Sequence, residues 1–287
     1  MDTGTPKTAQ PIMPLPPKRT RQSPRARRVV FEPDGDGRLL SLIRNATFIS
    51  HGQLVTLATR FRIKAHPDAV RKRIVRYIEY GLVRVIPSVP PHRGAIYQIT
   101  RVGLRVLESF GIGLCSISSE TVTLPSELQA THFLDLNEVR LAFSADKLLG
   151  RGEWHSDPEI KAHNTAPHVT PYAKDYDAIL KLKDGNGQEF LIGIEYERTF
   201  KDFRRYEEIA QSIETETQLC CVLYIAASID LVGRLGESIR CQKFPLCVTA
   251  AGVLKQQTLD VTVGYMVGNN LRLCTLRQYL VALKHPL

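Results

Sequence analysis

Two glutamates end an apolar run of the sequence, and a basic segment follows them at once. The stretch FLIGIEYERTFKDFRRY, residues 190–206, places Glu195 and Glu197 two positions apart. Residues two apart in a β-strand lie on the same face of the sheet, so both carboxylates would point to one side. Clustered carboxylates repel each other unless a cation or a proton compensates their charge. The spacing therefore predicts a candidate site for Mg²⁺ or Mn²⁺, with a solvated strand end as the alternative.

A second pair of acidic residues lies at the start of the preceding strand. The segment DYDAILKLKDGNGQEFLIGIEYE reads as two apolar strands joined at residues 184–187, where glycine and asparagine suit a tight turn. Asp175 and Asp177 share one side of the first strand. If the strands pair, Asp177 and Glu195 become neighbouring metal ligands. A metal held there would activate water for attack on a phosphodiester.

A basic helix in the first half of the chain is the second candidate site. The segment HPDAVRKRIVRYIEYGLV has a proline near its start and a glycine near its end, as helices favour. Its periodicity predicts a core face made of Val70, Ile74, Tyr77 and Ile78. The predicted outer face carries Lys72, Arg73 and Arg76, with Arg71 at its flank. Such a face suits the DNA major groove, where arginine and lysine contact guanine edges and phosphates, and a solvated charged surface is the alternative.

The surrounding segments predict a small DNA-binding unit. DGRLLSLIRNATFIS and HGQLVTLATRF read as two preceding helices, and Asp36 is expected to cap the first. LVRVIP and AIYQIT read as strands on either side of the loop SVPPHRG, and VGLRVLESFG reads as a closing helix. Three short helices followed by a two-stranded wing predict a winged helix-turn-helix. Arg93, in the wing loop, is expected to reach the DNA minor groove or backbone.

Charge is distributed unevenly along the 287 residues. The net charge of +9 divides into +5 for residues 1–33, +8 for 34–114 and −4 for 115–287. Residues 1–33, rich in proline and arginine, are predicted to be a disordered basic tail. Residues 34–114 would be the winged helix-turn-helix, and residues 115–287 a second domain. The excess positive charge of residues 1–114 predicts a polyanionic partner. Because of the basic outer face predicted for the helix HPDAVRKRIVRYIEYGLV, we expect this partner to be double-stranded DNA.

Composition excludes several classes of protein. No run approaches the roughly 18 apolar residues that a membrane helix needs, and we expect no membrane partner. The six cysteines contain no CxxC pair, which argues against a zinc ribbon or a disulfide framework and favours the cytoplasm. The second half alternates between helical and strand patterns, which predicts a mixed sheet flanked by helices. The expected fold class is therefore a two-domain α/β protein.

Short motifs in the second half resemble a nuclease superfamily. An acidic residue at the start of one strand, followed by a strand ending in (D/E)-x-K, marks the PD-(D/E)xK superfamily; here DYDA supplies Asp177 and IGIEYER supplies Glu195. The order of winged helix, core helix carrying Glu138, hairpin and basic helix resembles the replication-relaxation family of plasmid and mobile-element proteins over roughly residues 36–225. The resemblance implies a restriction-endonuclease-like second domain and a role in plasmid replication or mobilisation. A relaxase or a replication initiator protein would then be a partner.

Two departures from the motif leave the activity open. Tyr176 replaces the proline before the aspartate, and Glu197 occupies the lysine position. Arg198 or Lys201 would have to supply the missing cation, and an arginine stabilises charge but does not act as a base. The expected catalytic set is therefore Asp177, Glu195, Glu197 and Lys201. We expect a DNA-binding protein with a divergent nuclease-like domain. The alternatives are an active Mg²⁺-dependent endonuclease, or a transcriptional regulator whose C-terminal half senses a signal or forms a homodimer.

Overall fold

The helices of the N-terminal part follow the apolar periodicity of the sequence. The computed structural model describes residues 30–86, 94–114, 126–145, 152–183, 189–241, 243–267 and 270–284. Its first helices are α1 (Arg38–Ala46), α2 (His51–Arg60), α3 (Pro67–Glu79) and α4 (Arg101–Ser109). α2 begins with a capping box: Ser50 Oγ accepts a hydrogen bond from Gln53 N, and Gln53 Oε1 accepts one from Ser50 N. This reciprocal pair satisfies two backbone donors at the start of α2.

A small antiparallel sheet accompanies these helices. It contains β1 (Ile49–Ser50), β2 (Val83–Ile86) and β3 (Ile96–Ile99) in the order β1-β3-β2. Val83 lies opposite Ile99, and Ile86 lies opposite Ile96. Both strands predicted around the proline-containing loop are therefore present. The two residues of β1 are too few to show an alternating pattern. The loop 87–93, with Arg93, lies outside the described residues, as does the predicted basic tail as far as residue 29.

The next helix, α5 (Glu127–Ala145), is buried on more than one face. Ala130 and Leu134 pack with Phe48, Ile86 and Ile96 of the N-terminal part. The residues of α5 that face the other way are Leu136, Val139 and Phe143, and they join a separate, larger core. A helix that is apolar on several sides must be covered on several sides. α5 is thus shared by both parts of the chain.

Seven strands form the main sheet, in the order β10-β9-β8-β7-β6-β5-β4. They are β4 (Glu153–Ser156), β5 (Ala178–Lys183), β6 (Glu189–Glu197), β7 (Cys221–Ala226), β8 (Leu246–Ala250), β9 (Thr262–Val267) and β10 (Asn270–Thr275). β6 runs parallel to β7, and β7 runs parallel to β8, whereas the other neighbours are antiparallel. The prediction of a mixed sheet is confirmed.

Helices cover both faces of this sheet. The remaining ones are α6 (Asp157–Thr165), α7 (Phe203–Ile213), α8 (Ile229–Ser238), α9 (Ala251–Gln257) and α10 (Leu276–Lys284). On one face, α5, α9 and α10 pack against the even-numbered apolar residues of β6, Ile192 and Ile194. On the other face, α6, α7 and α8 pack against residues such as Ile179 and Val222. The α/β class with flanking helices is confirmed.

The described residues from Glu32 onward belong to one compact unit. Gln53 Nε2 donates hydrogen bonds to Leu134 O at 2.8 Å and to Glu138 Oε1 at 2.7 Å. Asn137 Nδ2 donates to Phe48 O at 2.8 Å. These buried polar contacts fix α5 against α2 and β1. The domain boundary near residue 114 stays a prediction, and none of the described helices is long and apolar enough to cross a membrane.

Candidate functional site

The outer face of α3 is the first candidate site. Arg71 and Lys72 are exposed and Arg76 is half-buried, while Val70 and Ile74 are buried beneath them. Tyr77 is also fully buried, as the periodicity predicts, but Ile78 is 38% exposed and the prediction that it belongs to the core is wrong. At about 100° per residue, Ile78 lies near the margin of the apolar stripe.

Arg73 does not belong to the outer face. Its Nη1 lies 3.1 Å from both carboxylate oxygens of Asp36, and a quarter of its side chain is exposed. The helical angle explains this, because Arg73 lies only about 60° from Val70, at the edge of the buried stripe. The placement of Arg73 on the outward side of the helix is therefore wrong.

Asp36 is fully buried and binds three groups instead of capping α1. It lies inside a π-helical turn, Pro33–Gly37, and its carboxylate accepts hydrogen bonds from Glu32 N, Arg73 and the Tyr77 hydroxyl, the last at 2.6 Å. Burial and the hydrogen bond to Asp36 raise the pKa of Tyr77 well above its ordinary value. Asp36 thus attaches α3 to the turn before α1. The expectation that it caps α1 is wrong.

The acidic candidate site lies where β5 and β6 pair. Ala178 lies opposite Ile194, so Asp177 and Glu195 are adjacent at the next position along the ladder. Glu195 and Glu197 point to the same side of β6, away from Ile194 and toward the core beneath α7 and α8. The predicted register and the shared face of the two glutamates both follow from this pairing.

Asp177 is held by a histidine and a backbone amide. His132 Nε2, from α5, lies 3.2 Å from Asp177 Oδ1, and Tyr196 N donates to Oδ2 at 2.7 Å. Partial burial raises the pKa of Asp177, but the hydrogen bond and charge of His132 and the Tyr196 amide outweigh it and hold the pKa below its usual value. Burial alone would lower the pKa of His132, and its contact with Asp177 reverses this and raises the pKa.

Glu195 pairs with a lysine from the coil before β5. Lys174 Nζ lies 2.7 Å from Glu195 Oε1, and Glu195 is only 8% exposed. Burial raises the pKa of Glu195 to about 7; Lys174 opposes this rise and the carboxylate of Asp177 adds to it. Near neutral pH this carboxyl is thus divided between its protonated and ionised forms.

The other predicted residues of this site have partners of their own. Lys201 Nζ lies 2.9 Å from Glu197 Oε2, and this glutamate is 5% exposed. Arg198 Nε lies 3.3 Å from Asp135 Oδ2 on α5. Lys201 therefore lies beside Glu197 and Lys174 lies beside Glu195, so two lysines enter the cluster from different sides.

A buried tyrosine hydroxyl completes the site. Tyr224, on β7, is the register partner of Glu195 in the parallel pair and is 1% exposed. Within the described part of the chain its hydroxyl has no hydrogen-bond partner. Burial raises its pKa well above the ordinary value, and the carboxylates of Glu195, Glu197 and Asp177 add to the rise.

The carboxylates are poorly arranged for a divalent cation. Asp177 is bound by His132, Glu195 by Lys174 and Glu197 by Lys201, so a side-chain nitrogen of the protein lies against one oxygen of each carboxylate and competes with a metal there. Among the residues that the structure describes, no group of three or more His, Cys, Asp or Glu side chains could hold a metal ion. As arranged, the donor set does not fit Mg²⁺ or Mn²⁺, and we derive no chemical step through either.

Three residues of the site could not be found from short motifs. His132 and Asp135 lie three apart on α5, so both reach the end of β6, but an isolated pair at helical spacing is a weak signal. Lys174 lies in a coil three residues before Asp177 and belongs to no periodic pattern. Glu138, which the resemblance singles out, pairs with Gln53 instead.

Comparison with known proteins adds no relative: no protein-family model, curated protein or solved structure matches this chain.

Proposed function

We propose that this chain binds double-stranded DNA through a winged helix-turn-helix and carries a divergent, non-cleaving domain of the restriction-endonuclease type. The first part of the proposal rests on residues 38–109, where α1, α2 and α3 precede the β2–β3 hairpin. In such a unit the helix after the turn enters the major groove. α3, with 13 residues, takes that position.

One observation carries the DNA-binding proposal, namely the uncompensated cations on α3. Arg71, Lys72 and Arg76 form no ion pair within the described residues, whereas Arg73 beside them is taken by Asp36. When an unpaired lysine or arginine side chain contacts a phosphate, it displaces counterions that are condensed on the DNA. Their release favours binding. Arg73 instead fixes the orientation of the helix that presents them.

The paired carboxylates support a domain that does not cleave. An acidic residue next to a strand start and a glutamate on the neighbouring strand agree with the PD-(D/E)xK resemblance, in Asp177 and Glu195. Each of them lies against a nitrogen of the protein, the imidazole of His132 or the ammonium group of Lys174. We therefore propose that this cluster stabilises and positions the sheet without catalysing hydrolysis.

The biological setting of the proposal rests on the resemblance alone. The replication-relaxation family implies a role in plasmid or mobile-element replication or transfer, with a relaxase or replication initiator as partner. A cytoplasmic location belongs to the same proposal.

The DNA-binding test measures affinity for a duplex across a salt series. Lys72→Ala combined with Arg76→Ala should weaken binding and reduce the slope of log affinity against log salt by about 1–2, since each phosphate contact contributes about 0.9. Lys183→Ala combined with Arg204→Ala removes the same charge from exposed positions on β5 and α7. This control should leave the slope of log affinity against log salt unchanged. Equal slopes for the wild type and the Lys72/Arg76 variant would refute the role of α3.

Cleavage is tested on supercoiled plasmid with Mg²⁺ or Mn²⁺. We expect no nicked or linear product from the wild type. A product that disappears in Asp177→Ala would overturn the non-cleaving proposal and establish the nuclease hypothesis. Protection of a single operator near the gene for this chain would instead favour the regulator hypothesis.

A further inference from the structure

A cavity lined by arginines lies between the N-terminal helices and α5. Its volume is about 870 Å³, within the range of small-molecule sites. The charged residues that line it are Arg38, Arg60, Arg62 and Arg140, and the polar ones are Ser41 and Asn45. No aspartate or glutamate lines it. The cavity is separate from α3 and from the acidic cluster.

Arg140 is the buried arginine of this cavity, whereas Arg38, Arg60 and Arg62 are exposed. It is 8% exposed, and its Nε and Nη1 have no hydrogen-bond partner within the described residues. Its guanidinium carbon lies 5.5 Å from the ring centroid of Phe61, which also lines the cavity. Burial lowers the pKa of Arg140 to about 10, and the carboxylate of Glu159 opposes this only in part. A buried guanidinium with unused donors is costly unless an anion accepts them.

The other lining groups suit the same anion. Ser41 Oγ is buried and also lacks a partner in the described chain. Arg62 is exposed and has a left-handed backbone with φ of 53°, which is unusual for a residue with a side chain. Arg60 and Arg38 are fixed at the margin by hydrogen bonds to Ser144 Oγ and Phe61 O. The cavity therefore offers preorganised hydrogen-bond donors, and all of its charged side chains are positive.

We infer that this cavity binds a phosphate group through Arg140, Arg62 and Ser41. Planar guanidinium groups bind tetrahedral oxyanions with two parallel hydrogen bonds, so several arginines around one cavity favour a phosphate over a halide. The phosphate is either free, as inorganic phosphate or a nucleotide, or part of a DNA strand. The inference does not require α3 to bind DNA. Because the site is built from α1, the end of α2 and α5, an occupant would tie both cores together.

The test is thermal unfolding of the full chain in a chloride buffer and in a phosphate buffer of equal ionic strength. At about 100 times the dissociation constant, phosphate should raise the Tm of the wild type by roughly 5–10 °C. Arg140→Met should abolish this response, and Arg62→Gln should lower phosphate affinity several-fold. Arg204→Gln, at an exposed arginine on α7, is the matched control and should respond as the wild type does.

Arg140→Met also separates binding from folding. Because it removes a buried, unpaired charge, its Tm in chloride buffer should equal or exceed that of the wild type. A wild type without any response to inorganic phosphate or ATP would overturn the inference, as would an unchanged response in Arg140→Met. A short duplex distinguishes the two sources: competition between duplex and inorganic phosphate, lost in Arg140→Met, assigns a strand phosphate, and independent binding assigns a free one.

Discussion

Replacing Glu195 by glutamine is predicted to stabilise the protein, and more so at alkaline pH. The wild-type carboxyl is buried beside Asp177, which raises its pKa from the ordinary 4.5 to about 7. A folded-state pKa above the unfolded value means that the folded chain binds the proton more tightly. The associated stability is fully present below pH 4.5 and is lost as the pH rises through 7.

The magnitude follows from the size of this pKa change. At about 1.4 kcal/mol for each tenfold change in proton affinity, ionised Glu195 costs about 3 kcal/mol above pH 7 and less than about 1 kcal/mol at pH 5. Glutamine has the shape of the protonated acid but does not ionise. The gain in unfolding free energy from Glu195→Gln should therefore be about 2–3 kcal/mol larger at pH 8 than at pH 5.

Urea unfolding of wild type and variant at both pH values measures this difference. The comparison must be made between the two proteins, because the raised pKa of His132 makes the wild type lose stability over the same pH range. Glu189→Gln is the matched control on the same strand. Its carboxylate is exposed and paired with Lys181 and Lys183, which lower its pKa, so no gain is expected at pH 8. An equal effect of Glu195→Gln at pH 5 and pH 8, or a loss at pH 8, would show that Lys174 keeps Glu195 ionised and would refute the burial argument.

Further substitutions test how the N-terminal part is held together. Asp36→Asn should lower the unfolding free energy by about 2–4 kcal/mol, because Arg73 is left half-buried without its charge partner; a loss below about 0.5 kcal/mol in urea unfolding would contradict this. Gly103→Ala should cost about 1–3 kcal/mol, since the added Cβ would clash with the backbone oxygen of Leu82. Gly252→Ala, a helical glycine with open space around it, is the control and should be neutral or stabilise by up to about 1 kcal/mol.

The sequence was most informative where one periodicity applied over many residues. Val70, Ile74 and Tyr77 could be placed in the core from helical spacing, and the pairing of β5 with β6 from the two apolar strands. Local periodicity could not predict that the side chain of Arg73 turns away from the outer face. Its orientation depends on Asp36, which is 37 positions away in the chain.

The candidate site was predictable in its acids but not in its cations. Strand alternation grouped the acids by face and the resemblance singled out Asp177 and Glu195, which the pairing of β5 with β6 makes neighbours. His132 and Lys174 reach these carboxylates from a distant helix and from an irregular coil. Their positions are set by tertiary packing, of which a single sequence carries no local signal.

The sharing of α5 has a consequence for how this protein can be divided. A gene fragment encoding only residues 34–114 would leave Phe48, Ile86 and Ile96 facing water, since Ala130 and Leu134 would be missing. Such a product would tend to aggregate and would be a poor reagent for testing the proposed DNA binding. Recombination that exchanges one half of the gene for a foreign one would meet the same obstacle, so the two halves are expected to be inherited and to unfold together.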